Sequence, residues 1–196
     1  MMRFGAWAAA VLLASFLLQG RPALAFDLRS IDLGSNVEVW FSEDHTVPIV
    51  AFAISLPAGS AYDPPKKAGL ASLAASLMDE GAGNMASRAF QNALADHAIR
   101  FRANAERDDL VISIVTLSEN APLAMHLLQM ALTHPRFDPD AVARMRTQMI
   151  QAVEQGNTMP PTVARRAFAK AFFDSHPYGH PTDGDVAGLS AITTLD

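Results

Sequence analysis

The chain has 196 residues, 50% of them hydrophobic and 18% charged, a globular profile long enough for one domain with a sizeable core. Its net charge of −5 offers no electrostatic footprint for nucleic acid. It has no cysteine, which excludes disulfide staples, thiolate metal sites and a cysteine nucleophile, so any metal would need His, Asp or Glu.

The first stretch carries Arg3, then an uncharged apolar run from Phe4 to Leu18, then Ala23-Leu24-Ala25. A basic start, an apolar middle and a small-residue cleavage site are the three parts of a secretory signal peptide. The alternative is a membrane anchor, but the apolar run is short against a span of about 20 residues. The expectation is cleavage after Ala25, export to a bacterial periplasm, and no stable membrane insertion afterwards. Cleavage removes Arg3 and Arg21 and no acid, leaving 13 basic against 20 acidic residues, or −7.

Residues 26–196 contain no linker, repeat or low-complexity break and read as one domain. Val37 to Phe41 alternates and is rich in strand formers. Ser42 to Thr46 is a polar turn. Pro48 to Leu56 is an almost unbroken apolar run and predicts a central strand buried on both faces. Ser60 to Lys67 is a loop in which Pro64-Pro65 stops any regular element. A helix is expected from Ala68, ended by Gly81 and Gly83 in the position of a C-cap. Ser87 suits the N-cap of a second helix, Arg88 to Ile99, with Phe90, Leu94 and Ala98 on one face.

Ile99 to Ala105 and Asp109 to Leu117 predict a hairpin about the Glu106-Arg107-Asp108-Asp109 turn. Ala121 to Leu132 is an amphipathic helix with Pro122 in its first turn. Asp138 caps the next, with Pro139 at its first position, running to about Gln155. A further helix, Thr162 to Phe173, follows Pro160-Pro161. Ser190 or Thr194 suits the cap of a helix starting where the chain ends. Strands first, helices later and a hairpin between them predict an α+β fold, a mostly antiparallel sheet with helices on one face.

Three stretches carry a family resemblance: VPIVAFAISLPAGSAYDPPKKAGLASLAASLMDEGAG, THPRFDPDAVARMRTQMIQAVEQ and HPYGHPTDGDVAGLSAIT. In this order the chain resembles the N-terminal domain of the insulinase/pitrilysin zinc peptidases, which include the mitochondrial processing peptidases. The resemblance implies a mitochondrial processing peptidase-like fold over about residues 36–196. It also implies a helix bearing H-x-x-E-H, whose two histidines, at i and i+4, reach one zinc from one helix face. The glutamate between them activates the zinc-bound water, and a further glutamate downstream completes the site.

Laid over Gly69-Leu70-Ala71, the first histidine falls on Ser72, the glutamate on Ala75 and the second histidine on Ser76. The distal glutamate falls on Ala152. All four positions are replaced by residues that are poor ligands or none. Glu154 lies about 200° around a helix from Ala152, and the uncharged Gln151 about 100°. No shifted alignment puts two histidines at i, i+4 on either helix. This degenerate motif implies no catalytic residue, no bound metal and no cofactor here, with zinc confined to active homologues.

Other candidates have bland alternatives. His176 and His180 are four apart, but Pro177 and Gly179 between them exclude a regular helix, so a structural loop is the better reading. His97 suits a capping or solvated position, His126 the face of a packed helix, and His45 a turn after Glu43-Asp44. Ser72 and Ser76 have no G-x-S-x-G elbow or neighbouring base and read as small packing residues. Met78, Met125, Met130, Met145, Met149 and Met159 read as core fillers. Arg144, Arg146, Arg165 and Arg166 form a modest basic cluster, either a solvated face or a subunit contact.

The leading expectation is an exported, non-catalytic homologue that pairs with an active zinc peptidase as a heterodimer. It would help enclose an extended peptide substrate, by edge-strand addition. Two alternatives remain open: an active zinc endopeptidase with atypical ligands, and a stand-alone peptide-binding or scaffold protein. Family members usually continue into a second, related domain where non-catalytic subunits carry substrate-binding residues. The chain is therefore expected to be a truncated product or fragment.

Overall fold

A computed structural model describes residues 28–32, 34 and 37–196, so the expected signal peptide, residues 1–25, lies outside the described residues. The described chain divides into two units, one up to Val47 and one from Pro48 onward.

In the first unit, β1 (Leu28–Asp32) and β2 (Glu38–Ser42) pair antiparallel, from Leu28 opposite Ser42 to Asp32 opposite Glu38. Alternation in β2 is the reason a strand forms there, and its bounds sit one residue beyond the expected Val37 to Phe41. The polar turn that follows is organised by Asp44. Its carboxylate accepts from Thr46 N at 2.8 Å and Thr46 Oγ1 at 2.6 Å.

The second unit is built on a three-stranded antiparallel sheet of β3 (Ile49–Leu56), β6 (Arg100–Ala105) and β7 (Leu110–Leu117), in the order β3-β7-β6. The 100–117 hairpin forms as its sequence predicts, with Ala105 opposite Leu110. Its second strand is the central one. Ile112, Ile114 and Thr116 of β7 alternate into the core. The expectation for Pro48 to Leu56 is corrected: β3 is an edge of this sheet, and Ile49 and Val50 are exposed. An unbroken apolar run has no period, so it cannot distinguish burial on one face from burial on two.

Between β3 and β6 come α1 (Leu70–Leu77), a small hairpin of β4 (Gly81–Ala82) and β5 (Met85–Ala86), and α2 (Ser87–Asp96). Gly81 and Gly83 are not a helix C-cap. The helix has already ended at Met78, and the two glycines, at φ +116° and +56°, shape the β4–β5 hairpin. Nor does Ser87 cap α2. It is the first helical residue, and its hydroxyl donates to Glu80 Oε2 at 2.5 Å. The helix stops at Asp96, which leaves Ala98 exposed at φ +51° and Ile99 buried.

After β7 come α3 (Ala121–Thr133), α4 (Pro139–Gly156), α5 (Pro160–Phe173) and α6 (Val186–Ala191). Proline in the first turn starts each of the first three, where a missing N–H costs no hydrogen bond. Asp185 caps α6, its side chain accepting from Gly188 N at 2.7 Å. The last helix thus begins before Ser190, which lies inside it and bonds Val186 O, so neither Ser190 nor Thr194 is its cap. Among the described residues no helix is long and apolar enough to cross a membrane.

Two apolar clusters hold this unit. One joins Phe90 and Leu94 of α2 and Leu127 and Leu128 of α3 to Ile112 and Ile114 of the sheet. The other joins Leu73 and Leu77 of α1 to Val142 and Val153 of α4, and to Leu189 and Ile192 at the chain's end. The methionine expectation holds for Met78, which is buried, and for Met130, Met145 and Met149, which pack against these clusters. It fails for Met125 and Met159, which are exposed on helix flanks.

Candidate functional site

The site is built around α1, and α1 starts because of a residue outside it. Asp63, just before Pro64-Pro65, reaches back with both carboxylate oxygens. One accepts from Gly69 N at 2.7 Å and the other from Ala71 N at 2.8 Å. These are N–H groups that the first turn of a helix leaves without partners. Gly69 enters the helix at φ +99°, a conformation that disfavours any side chain.

The same end of α1 is gripped by the segment leading into α6. A Cβ on Gly184 would lie 2.4 Å from Ala68 O, and one on Gly188 would lie 2.6 Å from it. The glycines of the DGDVAG stretch therefore serve close approach of two backbones.

Ser72 and Ser76, one helical turn apart, are half-buried. Ser72 Oγ donates to Thr182 O at 2.7 Å, tying α1 to the loop before α6. Ser76 Oγ donates back to Leu73 O at 2.8 Å, and its nearest partner across the interface is the Met149 sulfur on α4, at 3.9 Å. Ala75 is buried at 4% exposure, and Ala152 lies exposed on α4, next to the buried Val153. The four positions are thus two hydroxyls spent on backbone carbonyls and two methyl groups.

Zinc needs imidazole, thiolate or carboxylate donors. Neutral hydroxyls spent on backbone carbonyls, with a thioether opposite, do not fit it. Among the described residues no three or more His, Cys, Asp or Glu side chains gather where they could hold a metal ion.

Acidic groups at the far end of α1 are engaged differently. Glu80 forms an ion pair with Arg144 of α4 at 2.7 Å. Partial burial raises the Asp79 carboxyl above its ordinary range, with the neighbouring Glu80 charge adding to the effect.

The histidines are scattered. His176 and His180 flank a 3₁₀ turn, Pro177–Gly179, and the His176 Nδ1 accepts from Tyr178 N at 3.2 Å. His97 is the C-cap residue of α2, and its carbonyl accepts from Asn120. His126 is exposed rather than packed, because Leu127 and Leu128 take the buried face of α3. His45 is exposed and 2.9 Å from Glu43.

The four late arginines do not form one cluster. Arg144 pairs with Glu80, Arg146 donates to Ile192 O at 2.8 Å, and Arg166 bonds Asn157 and Asp183. Arg144 and Arg146, two apart on α4, turn to different partners, so sequence proximity overstated the grouping of all four.

One arrangement has no counterpart in the linear reading. Arg107, in the turn of the 100–117 hairpin, donates to Tyr178 O at 2.7 Å, and its guanidinium carbon lies 5.2 Å from the Tyr178 ring centre. The Tyr178 hydroxyl in turn donates to the Asp108 carboxylate, which raises the phenol above its ordinary range. Arg107 and Tyr178 thereby fasten the HPYGH loop against the hairpin turn. Between this loop, α1 and α5 lies a cavity of about 470 Å³, lined by Ser72, Arg107, Arg165, Arg166 and His180 among others. Ser72, Arg165, Arg166 and His180 stand out in the sequence one by one, but nothing in it brings them together with Arg107.

The profile of the insulinase family, peptidase family M16, matches residues 38–186. A Helicobacter pylori protein named a non-peptidase homolog, YmxG, is 24% identical over 162 residues, covering 83% of this chain and 38% of its own. The crystal structure of a peptidase M16 inactive domain from Pseudomonas fluorescens superposes with a TM-score of 0.81 at 25% identity, over 86% of this chain and 41% of that one. Pitrilysin superposes with a TM-score of 0.71 at 19% identity, over 84% of this chain and 18% of its own, a likeness of fold. The chain spans less than half the length of each of these relatives. With its α+β architecture and a profile match over most of its length, the chain belongs to the insulinase family of peptidases, M16.

Proposed function

We propose that this chain is an exported, non-catalytic M16 homologue that helps an active, zinc-bearing homologue bind and enclose a peptide substrate. The observation that carries this reading is the state of α1. The helix keeps its cap, its glycine contacts and its packing, while Ser72 and Ser76 spend their hydroxyls on backbone carbonyls and Ala75 is a buried methyl. A fold retained without ligand chemistry suits a partner role better than a catalytic one. The names of the Helicobacter and Pseudomonas relatives, a non-peptidase homolog and an inactive domain, point the same way.

An atypical zinc enzyme built on His176 and His180 has less support. The His176 Nδ1 is already an acceptor in its own turn, and no third ligand stands with the pair among the described residues. The proposal is tested by purifying the tagged protein from the periplasm of its own host and identifying the chains that come with it. A homologue with an intact H-x-x-E-H at equal stoichiometry is the expected result. Recovery of the protein alone would overturn the heterodimer.

A further inference from the structure

We propose that the cavity beside α1 is a carboxylate site, which holds an acidic side chain or the C-terminal carboxylate of an extended peptide. It rests on the reading that the chain holds peptide, and it adds which peptides.

The cavity, about 470 Å³, falls in the usual range for ligand pockets, about 300–1,000 Å³. Its charge is one-sided. Three arginines, Arg107, Arg165 and Arg166, line it against a single acidic residue, Asp183. Ala105 and Ala169 are small lining residues that leave the space open.

Two of the arginines are fixed in advance. Arg107 is held by the Tyr178 carbonyl and ring, and Arg166 by Asn157 Oδ1 at 2.6 Å and Asp183 Oδ2 at 2.7 Å. A guanidinium has five N–H donors, so each keeps donors beyond those bonds. Arg165, by contrast, has no hydrogen-bond or ion-pair partner among the described residues.

Held guanidinium groups need little reordering to take an anion, and their planar fork matches a carboxylate. Asp183 offsets one of the three charges, and its side chain is 61% exposed, so it stands at the solvent side of the Arg166 pair. The position also makes sense beside the degenerate helix. Ser72 lines the cavity with its hydroxyl already engaged by Thr182, so the guanidinium groups are its strongest free donors.

The test is fluorescence anisotropy of the full chain with labelled peptides of one sequence. One carries Glu and a free C-terminus, a second Glu and an amidated end, a third Gln and an amidated end. The third, without a carboxylate, is expected to bind at least about tenfold more weakly than the first. The second then tells which carboxylate is held, and either answer supports the site.

Arg165→Gln is expected to lower affinity for the charged peptide about tenfold, leaving the neutral one unchanged. Arg165 has no partner to lose, so the variant should melt like the parent. Asp183→Asn is expected to raise affinity for the charged peptide. Equal binding of charged and neutral peptides, or no effect of Arg165→Gln, would overturn the carboxylate site while leaving peptide holding intact. Inorganic phosphate that binds where no charged peptide is preferred would overturn it in favour of a small free anion. No binding of any peptide would remove both this site and peptide holding by this chain, whatever partner co-purifies.

Discussion

The two apolar clusters of the second unit are built on different terms. Around the sheet, large side chains do the filling: Phe90, Ile112 and Leu127 are all essentially fully buried, and the Phe90 ring meets Phe101 edge-on. Around α1, Leu73, Val153, Leu189 and Ile192 are buried as deeply, but closer contacts are added to them. Backbone meets backbone at Gly184 and Gly188, a carboxylate caps the helix from the preceding loop, and two serines bond to carbonyls. The sheet cluster depends on volume; the α1 layer adds close backbone fit and side-chain hydrogen bonds to its volume. That difference explains how the helix can stay in place with no ligand chemistry. Nothing that positions α1 is a metal ligand, so replacing such residues need not loosen it.

Four substitutions sharpen this contrast. Phe90→Ala empties the sheet cluster and should cost about 3–5 kcal/mol, seen as a lowered denaturation midpoint for the whole second unit. A loss below about 1 kcal/mol would mean the cluster collapses around the gap and is less rigid than its packing suggests.

Gly184→Ala places a Cβ against Ala68 O at a residue with φ +78°, and should cost about 1–3 kcal/mol. Its effect should be local. Hydrogen exchange should quicken in α1 and α6 first, and equal quickening in β7 would contradict two separable layers.

Asp63→Ala removes the acceptor for two N–H groups of α1 and should cost about 1–2 kcal/mol. Faster exchange at Gly69 and Ala71 is the readout, and Asp63→Asn should restore part of the loss.

The smallest effect concerns Asp79, whose carboxyl burial holds above its ordinary range. A raised folded value means that this group favours folding below the unfolded carboxylate range, and that the benefit is lost as pH rises through the folded value. Asp79→Asn should therefore raise the melting temperature slightly at pH 7 and leave it unchanged at pH 3. A gain of equal size at both pH values would assign the effect to something other than ionisation.

Much of the fold was legible because its signals are local. The 100–117 hairpin, the proline-started helices and the strand around Trp40 follow from alternation, turn residues and proline placement. What was not legible depended on distant partners. The edge position of Pro48 to Leu56 follows from β3 pairing with β7 on one side only, while β7 takes β6 on its other side. Gly81 and Gly83 carry a positive φ, as expected of cap glycines, but pairing with Met85–Ala86 makes them a hairpin. Asp63 gives no local sign of capping a helix six to eight residues on. The pocket joins Arg107 to Arg165 and Arg166; the last two are neighbours in the sequence, but nothing there links them to Arg107.

The central claim is that α1 persists as a packing element without zinc chemistry. The most direct measurement is the zinc content of the purified protein after equilibrium dialysis against zinc and extensive washing. The account predicts no stoichiometric zinc. One tightly held equivalent per chain, lost on His176→Ala or His180→Ala, would contradict it.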